Sequence, residues 1–261
     1  MDLSLEFTVK LNDQVQIPML GFGTWELEGS SAYKPVKWAL EEGYRLIDTA
    51  SVYNNEEFVG KAIAESDIPR EDLFITSKVW NSDQGYEHTL KAYDNSLKRL
   101  GVEYLDLYLI HWPRSLSEET WSALESLYRE GRVRAIGVSN FMVNDIKGLL
   151  DANHITPSIN QILMHPLKYK NNKDVVEYCR QKNIKIEAYS PLIHGYKLDK
   201  DIFQEIANRY NKSVPQILIR WSLQHGFVCI PRSSNRDHIR ENADVFDFEL
   251  SESDISKLNS L

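Results

Sequence analysis

Cysteine is scarce in this chain. Cys179 and Cys229 are the two thiols, far apart and with no metal-type pairing nearby, which excludes a disulfide framework and reads as a reducing compartment. Long apolar runs are missing as well, so no bilayer span is expected. The N-terminus, Met-Asp-Leu-Ser-Leu-Glu, has neither the basic start nor the apolar stretch of a secretory signal, and a cytoplasmic location is the expectation. Basic charge is in deficit: 30 Lys and Arg face 38 Asp and Glu, a net charge of −8. That argues against nucleic-acid and anionic-membrane partners, which need a broad basic face, but leaves room for one local phosphate pocket. No Pro-, Gly- or Ser-rich linker and no low-complexity segment divides the 261 residues.

What is present is an alternation. Short apolar, β-branched runs fall at 19–22, 45–47, 74–76, 105–110, 135–138, 159–162, 184–188 and 227–230. Between them lie helical stripes such as Val36, Ala39, Leu40; then Leu90, Tyr93, Leu97, Leu100; then Trp121, Leu124, Tyr128. Gly43, Gly101 and Gly131 stand where helix C-terminal glycines belong. Strand and helix repeated at a spacing of roughly 30 residues argue for parallel strands with helical crossovers. An open doubly wound sheet and a closed barrel both fit, and the repeat count and length favour an α/β (β/α)8 barrel, typically about 250 residues. One domain over 1–261 is expected. Segments 7–10 and 14–17 flank Asn12-Asp13 as a hairpin that plugs one end, and 198–210 and 252–258 are two helices beyond the simple repeat.

Polar residues follow the apolar runs. Asp48 comes after the second, with Tyr53 five residues on; Lys78 follows the third, His111 the fourth, Ser139 and Asn140 the fifth. Gln161 sits in the sixth, Tyr189 and Ser190 end the seventh, and Arg232 and Ser233 end the eighth. A barrel gathers all of these on its C-terminal rim, where the fold places its sites. Each has a bland alternative: Asp48 as a helix cap, His111 as a core histidine, Lys78 as a loop lysine, Tyr53 as one of 13 tyrosines. Their joint placement outweighs these. The quartet is chemically coherent, because hydride addition to a carbonyl needs a proton donor beside the oxygen. A free tyrosine, pKa about 10, is a sluggish donor, and a shift of about three units takes roughly 4 kcal/mol. One ammonium about 4 Å away supplies roughly that. Lys78 is the expected cation, Asp48 its counter-charge, and His111 either orients the carbonyl oxygen or assists proton transfer.

The stretches Leu20-Gly21-Phe22-Gly23-Thr24-Trp25, Arg45-Leu46-Ile47-Asp48-Thr49-Ala50-Ser51-Val52-Tyr53-Asn54-Asn55-Glu56, Ile110-His111-Trp112-Pro113 and Ile136-Gly137-Val138-Ser139-Asn140-Phe141 resemble the aldo-keto reductase superfamily. The likeness runs from about Val9 to Leu258. It implies NADPH-dependent reduction of aldehydes and ketones with Asp48, Tyr53, Lys78 and His111 as catalytic tetrad and Tyr53 as acid. It further implies that Tyr189 stacks on the nicotinamide ring, that Ser139, Asn140 and Gln161 bind its carboxamide, and that Ser190, Pro191 and Leu192 line the pyrophosphate. Gly23 and Thr24 join the cofactor contacts. Arg232, Ser233, His238, Glu241 and Asn242 form the adenosine 2′-phosphate grip, built on a cation and a helix N-terminus. Two positions depart from the common pattern: Arg232 replaces a lysine, keeping the charge, and His238 replaces an arginine. NADP(H) is the expected cofactor, with NAD(H) the second candidate.

Trp25, Trp80 and Trp112 match substrate-lining positions, whereas Trp121, on a helical stripe, reads as core. The short segment after Trp112, with a helix expected by Ser117, resembles the compact, mostly microbial members with open pockets. Small or aromatic aldehydes, ketoaldehydes and quinones are the expected substrates, and the chain is expected to be a monomer. Three rivals were set against this. Gly21-Phe22-Gly23 begins like a dinucleotide fingerprint, but Glu26 occupies the third glycine's place. A metal-dependent barrel hydrolase fails on the neighbours Lys78, Ser139 and Gln161, which make no metal cage. A cofactor-binding regulatory subunit with little turnover ranks below the enzyme.

Overall fold

The computed structural model describes residues 4–12, 14–152, 155–196 and 198–261. Its first strands, β1 (Thr8–Lys10) and β2 (Gln16–Pro18), pair antiparallel with Val9 opposite Ile17. Asp13, at the expected turn, lies outside the described residues. Eight parallel strands follow: β3 (Phe22–Gly23), β4 (Leu46–Asp48), β5 (Phe74–Val79), β6 (Leu105–Ile110), β7 (Val133–Ser139), β8 (Ile159–Leu163), β9 (Lys185–Tyr189) and β10 (Val228–Ile230), adjacent in chain order. Leu20 bridges Cys229, and the Gly21 and Gly23 N–H groups donate to the carbonyls of Cys229 and Pro231 at 2.8 and 3.0 Å, closing the sheet into a barrel.

Glycine makes that closure possible. A Cβ on Gly23 would stand 2.9 Å from the Ile230 carbonyl oxygen, and one on Gly21 would meet the Leu46 side chain at 2.4 Å. These glycines therefore let the first barrel strand approach its neighbours.

The helices are α1 (Tyr33–Glu41), α2 (Glu56–Ala64), α3 (Tyr86–Leu100), α4 (Ser117–Arg129), α5 (Val143–Ala152), α6 (Pro166–Tyr169), α7 (Lys173–Gln181), α8 (Asp201–Tyr210), α9 (Val214–Gln224), α10 (Arg236–Ala243) and α11 (Glu252–Asn259). The α3 stripe buries Thr89, Ala92, Tyr93, Ser96 and Leu100, and Gly101, left-handed at φ 66, ends the helix. The two extra helices stand as α8 and α11. α8 starts at Asp201 rather than 198, because Leu198 turns toward the barrel mouth and the buried stripe begins at Phe203.

Two cores result. Leu46, Phe74, Leu107, Leu109, Ala135, Ile159, Val228 and Ile230 fill the barrel interior, and Leu11 and Ile17 join them from the hairpin, which closes the N-terminal end. The larger core lies between strands and helices and includes Trp121, fully buried with its indole N–H donated to the Ile155 carbonyl. Cys179 and Cys229 are buried there too, and burial pushes their thiols up to about 11 and about 12, leaving them inert. Among the described residues no helix is long and apolar enough to cross a membrane.

Candidate active site

Inward-facing positions alternate along each strand. The last inward position of β4 is Asp48, that of β5 is Lys78 and that of β9 is Tyr189, while His111 follows β6 directly. Lys78 is fully buried. Its ammonium donates to Asp48 Oδ1 at 2.7 Å, to the Thr49 carbonyl at 2.9 Å and toward the Tyr53 hydroxyl at 3.5 Å. Tyr53 comes from the helical turn Ser51–Tyr53, which Asn54 ends in the left-handed region at φ 53. The His111 ring packs edge-on between Tyr53 and Trp80, with centroids 5.6 and 4.9 Å away.

Burial sets the charges. It works against the Lys78 ammonium, yet Asp48 outweighs it with help from Tyr53 and Glu187, and the Lys78 pKa lies above its ordinary 10.5. Burial likewise pushes the Tyr53 phenol above its ordinary 10.0, and Lys78 pulls it down without reversing the direction. From the spacing of Tyr53 and Lys78 alone, a net lowering by about three units is expected. The desolvation that overturns it depends on packing around the ring, which no spacing displays. Burial first and Lys78 second lower His111 to about 2, so its imidazole is neutral, and among the described residues its Nδ1 has no partner.

A cavity of about 1270 Å³ opens above this group, larger than the about 300–1,000 Å³ of a single small-ligand pocket. Its lining includes Tyr53, Trp80, His111 and Trp112 together with Ser233, His238, Glu241 and Asn242. Trp25, Ser139, Asn140, Gln161, Tyr189, Ser190, Pro191, Leu192 and Arg232 line it as well, with Gly23 and Asp48 also reaching its wall. Two expected residues do not line it. Lys78 sits behind Asp48 and Tyr53. Thr24, expected as a cofactor contact, is fully buried, and its hydroxyl donates to the Asp48 carbonyl at 2.9 Å, so it braces a strand instead.

Several expected contacts already have partners. Gln161 Nε2 donates to Asp48 Oδ2 and to Glu187 Oε2, both at 2.8 Å. Asn140 Nδ2 donates to the His111 carbonyl at 3.1 Å, while its Oδ1 accepts from the Tyr189 hydroxyl at 2.8 Å. Arg232 donates to the Trp25 carbonyl at 3.0 Å and pairs with Glu26 at 2.6 Å. Arg236 pairs with Glu41 and Arg240 with Asp237, each at 2.9 Å. The expected anion site at the start of α10 is satisfied internally, since Asn235 Oδ1 accepts from the N–H groups of Asp237 and His238. This asparagine cap was not anticipated, although Asn before a helical run is a sequence-level capping signal.

Backbone strain gathers at the rim. Glu26, Asn54, Asn140, Ser190, Ile193 and His194 all have φ between 48 and 63. For a β-branched residue such as Ile193 that conformation costs about 1–2 kcal/mol. Its side chain is buried, and packing offsets the cost. Such strain concentrates at functional sites.

The aldo/keto reductase family model matches residues 19–261. The chain belongs to that family. It is thereby an NAD(P)H-dependent oxidoreductase with the family's barrel fold. It is 51% identical to the glyoxal reductase of Bacillus subtilis strain 168, over 100% of this chain and 95% of the relative. Identity to the 9,11-endoperoxide prostaglandin H2 reductase of Trypanosoma cruzi is 47%, over 97% and 90%. Among solved structures, an aldo/keto reductase from Brucella melitensis superposes with TM-score 0.93 at 47% identity, covering 97% of this chain and 98% of that one. The Bombyx mori aldo-keto reductase, solved with NADP, gives 0.92 at 35%, covering 99% and 93%.

Val52, Glu28, His194 and Leu198 of this aldo/keto reductase also line the cavity, from short turns and loops whose paths no local pattern in the sequence sets. Glu187, fully buried inside the barrel, was within reach: it lies two residues before Tyr189, and a strand's period of two turns both inward.

Proposed function

We propose that this protein reduces small aldehydes and ketones, 1,2-dicarbonyls among them, to alcohols with NADPH, with Tyr53 as the acid. The observation that carries this reading is the buried line Asp48–Lys78–Tyr53, with contacts of 2.7 and 3.5 Å, ending at the cavity beside a neutral imidazole. Asp48 holds the Lys78 ammonium charged and in place. Lys78 stabilises the phenolate that remains once the Tyr53 hydroxyl has given its proton to the developing alkoxide. The raised pKa keeps the phenol protonated at neutral pH, and Lys78, by stabilising the phenolate, offsets part of what burial takes from its donating power. His111, uncharged, orients the carbonyl oxygen by a hydrogen bond and is not the proton source.

The cavity's donors fit a dinucleotide. Tyr189 presents a half-buried ring, Ser139, Asn140 and Gln161 present hydroxyl and amide groups, and Arg232 presents a cation. When bound, NADPH supplies the hydride. The NADP complex of the Bombyx mori relative supports this choice. Glu26 on Arg232 and the exposed Asp237 make the phosphate grip weak, so NAD(H) is accepted as well. Trp25, Trp80 and Trp112 shape an apolar mouth, and the exposure of Trp25 and Trp112 (43% and 39%) leaves it open. The glyoxal reductase relative supports a small dicarbonyl as substrate.

The test is loss of nicotinamide absorbance with methylglyoxal and with an aromatic aldehyde, under NADPH and under NADH. Turnover with both aldehydes, faster with NADPH, is the expected result. Tight cofactor binding without turnover would replace this reading with that of a cofactor-sensing subunit.

A further inference from the structure

Glu187 has no task in the chemistry above, yet it lies directly beneath it. The Gln161 amide nitrogen bridges two carboxyl groups, donating to Glu187 Oε2 and to Asp48 Oδ2 at 2.8 Å each. Asp48 Oδ1 takes the Lys78 ammonium, which reaches Tyr53. Glu187, Gln161, Asp48, Lys78 and Tyr53 thus form one continuous line of side chains from the barrel interior to the cavity.

Within that line two carboxyl groups share one ammonium, and Glu187 and Lys78 are both fully buried. The other titratable groups acting on this cluster supply no second cation. His111 is neutral, and burial pushes the Cys229 thiol and the Tyr189 phenol up to about 12. Among the described residues Glu187 Oε1 has no hydrogen-bond partner. An ionised carboxylate buried with one donor on one oxygen is strongly disfavoured.

We propose that Glu187 is a positioning residue that works as a neutral carboxylic acid: through Gln161 it fixes Asp48 as the one buried anion beside Lys78, and so keeps the ammonium within reach of the Tyr53 hydroxyl. This rests on the reading of Tyr53 as the acid. The titration of Glu187 agrees with it: burial first, then Asp48, pushes its pKa up to about 8, against the smaller pull of Gln161 and Lys78. Its ionisation raises the pKa of both Lys78 and Tyr53. The phenol then becomes a poorer donor, and carbonyl reduction slows above that pH.

Two measurements decide the matter. The first is kcat for reduction against pH in wild type, Glu187→Gln and Glu187→Leu. The wild type is expected to break near pH 8. Glu187→Leu, which leaves a Gln161 N–H unpaired, should lose about tenfold in kcat, the worth of one buried hydrogen bond. Glu187→Gln should rescue most of that loss and have no break. The second is the infrared carbonyl stretch of a protonated buried carboxyl, followed against pH in wild type and in Tyr53→Phe, and absent in Glu187→Gln. It needs no turnover, so it reads the Glu187 proton even if Tyr53 is not the acid, and it decides alone if Glu187→Leu does not fold. No such band at neutral pH overturns the neutral acid. A band without a break in kcat, or a break that persists in Glu187→Gln, overturns the positioning role.

Discussion

The surroundings of Tyr53 and the helix α10 are built on opposite principles. Around Tyr53 the charges are inside: Lys78 and Asp48 are 0% and 3% exposed, and each has its partner within the barrel. Along α10 they are outside. Arg236 and Arg240 expose 54% and 67% of their side chains and pair with surface carboxylates. Buried pairs are little screened, and breaking one leaves an uncompensated charge, whereas exposed pairs are worth little and exchange partners readily. The difference teaches that the buried pair is preorganised in low dielectric, while the exposed arginines are free to change partners.

That contrast is broken most sharply from the buried end. Lys78→Met should lower turnover by about 10²–10⁴-fold. It should also destabilise the fold by about 3–5 kcal/mol, since Asp48 is left buried and unpaired. Steady-state kinetics and a urea titration read the two effects, and Asp48→Asn made on the Lys78→Met background should recover part of the lost stability.

At the exposed end the effects should be smaller and confined to binding. Arg232→Gln should weaken NADPH about 10–100-fold, as one charge-assisted contact implies, and leave NADH nearly untouched, as followed by protein fluorescence. Equal losses for both cofactors would mean that Arg232 holds the loop rather than the phosphate. Smaller still, Glu26→Gln should tighten NADPH a few-fold by freeing Arg232, with salt blunting the gain.

A further effect is expected on stability against pH. The folded His111 ring resists protonation down to about 2, while the unfolded ring takes up a proton near its ordinary 6.5, so unfolding binds a proton and stability falls as pH drops below that value. Glu187 acts in the opposite sense. Its raised pKa contributes stability that is fully present below its ordinary 4.5 and is lost as pH rises toward about 8. Thermal melts of Glu187→Gln should therefore hold up better than wild type at the alkaline edge of that window.

The same divide explains what could be read from the chain before its fold was known. The strands, the hairpin plug and the Asp48, Lys78 and His111 positions were legible, because burial imposes apolar runs and a period of two, and the polar exceptions stand out against them. Lys78 is informative for that reason: a lysine ending a β-branched run has few ways to exist. The start of α8, the Asn235 cap and the Glu26–Arg232 pair were not legible, since each depends on how a loop crosses the rim. The direction of the Tyr53 shift was misread for a related reason, as a charge partner can be inferred from spacing but the dryness around it cannot.

The central claim is that Tyr53 gives the proton while the rest of the site binds. The most direct measurement is single-turnover reduction of an aldehyde by enzyme preloaded with NADPH, in wild type and Tyr53→Phe, with NADPH affinity measured on the same samples. The account predicts unchanged affinity within a few-fold and a rate lower by about 10²–10⁴-fold. A Tyr53→Phe rate close to wild type would contradict it and move the proton donor elsewhere in the cavity.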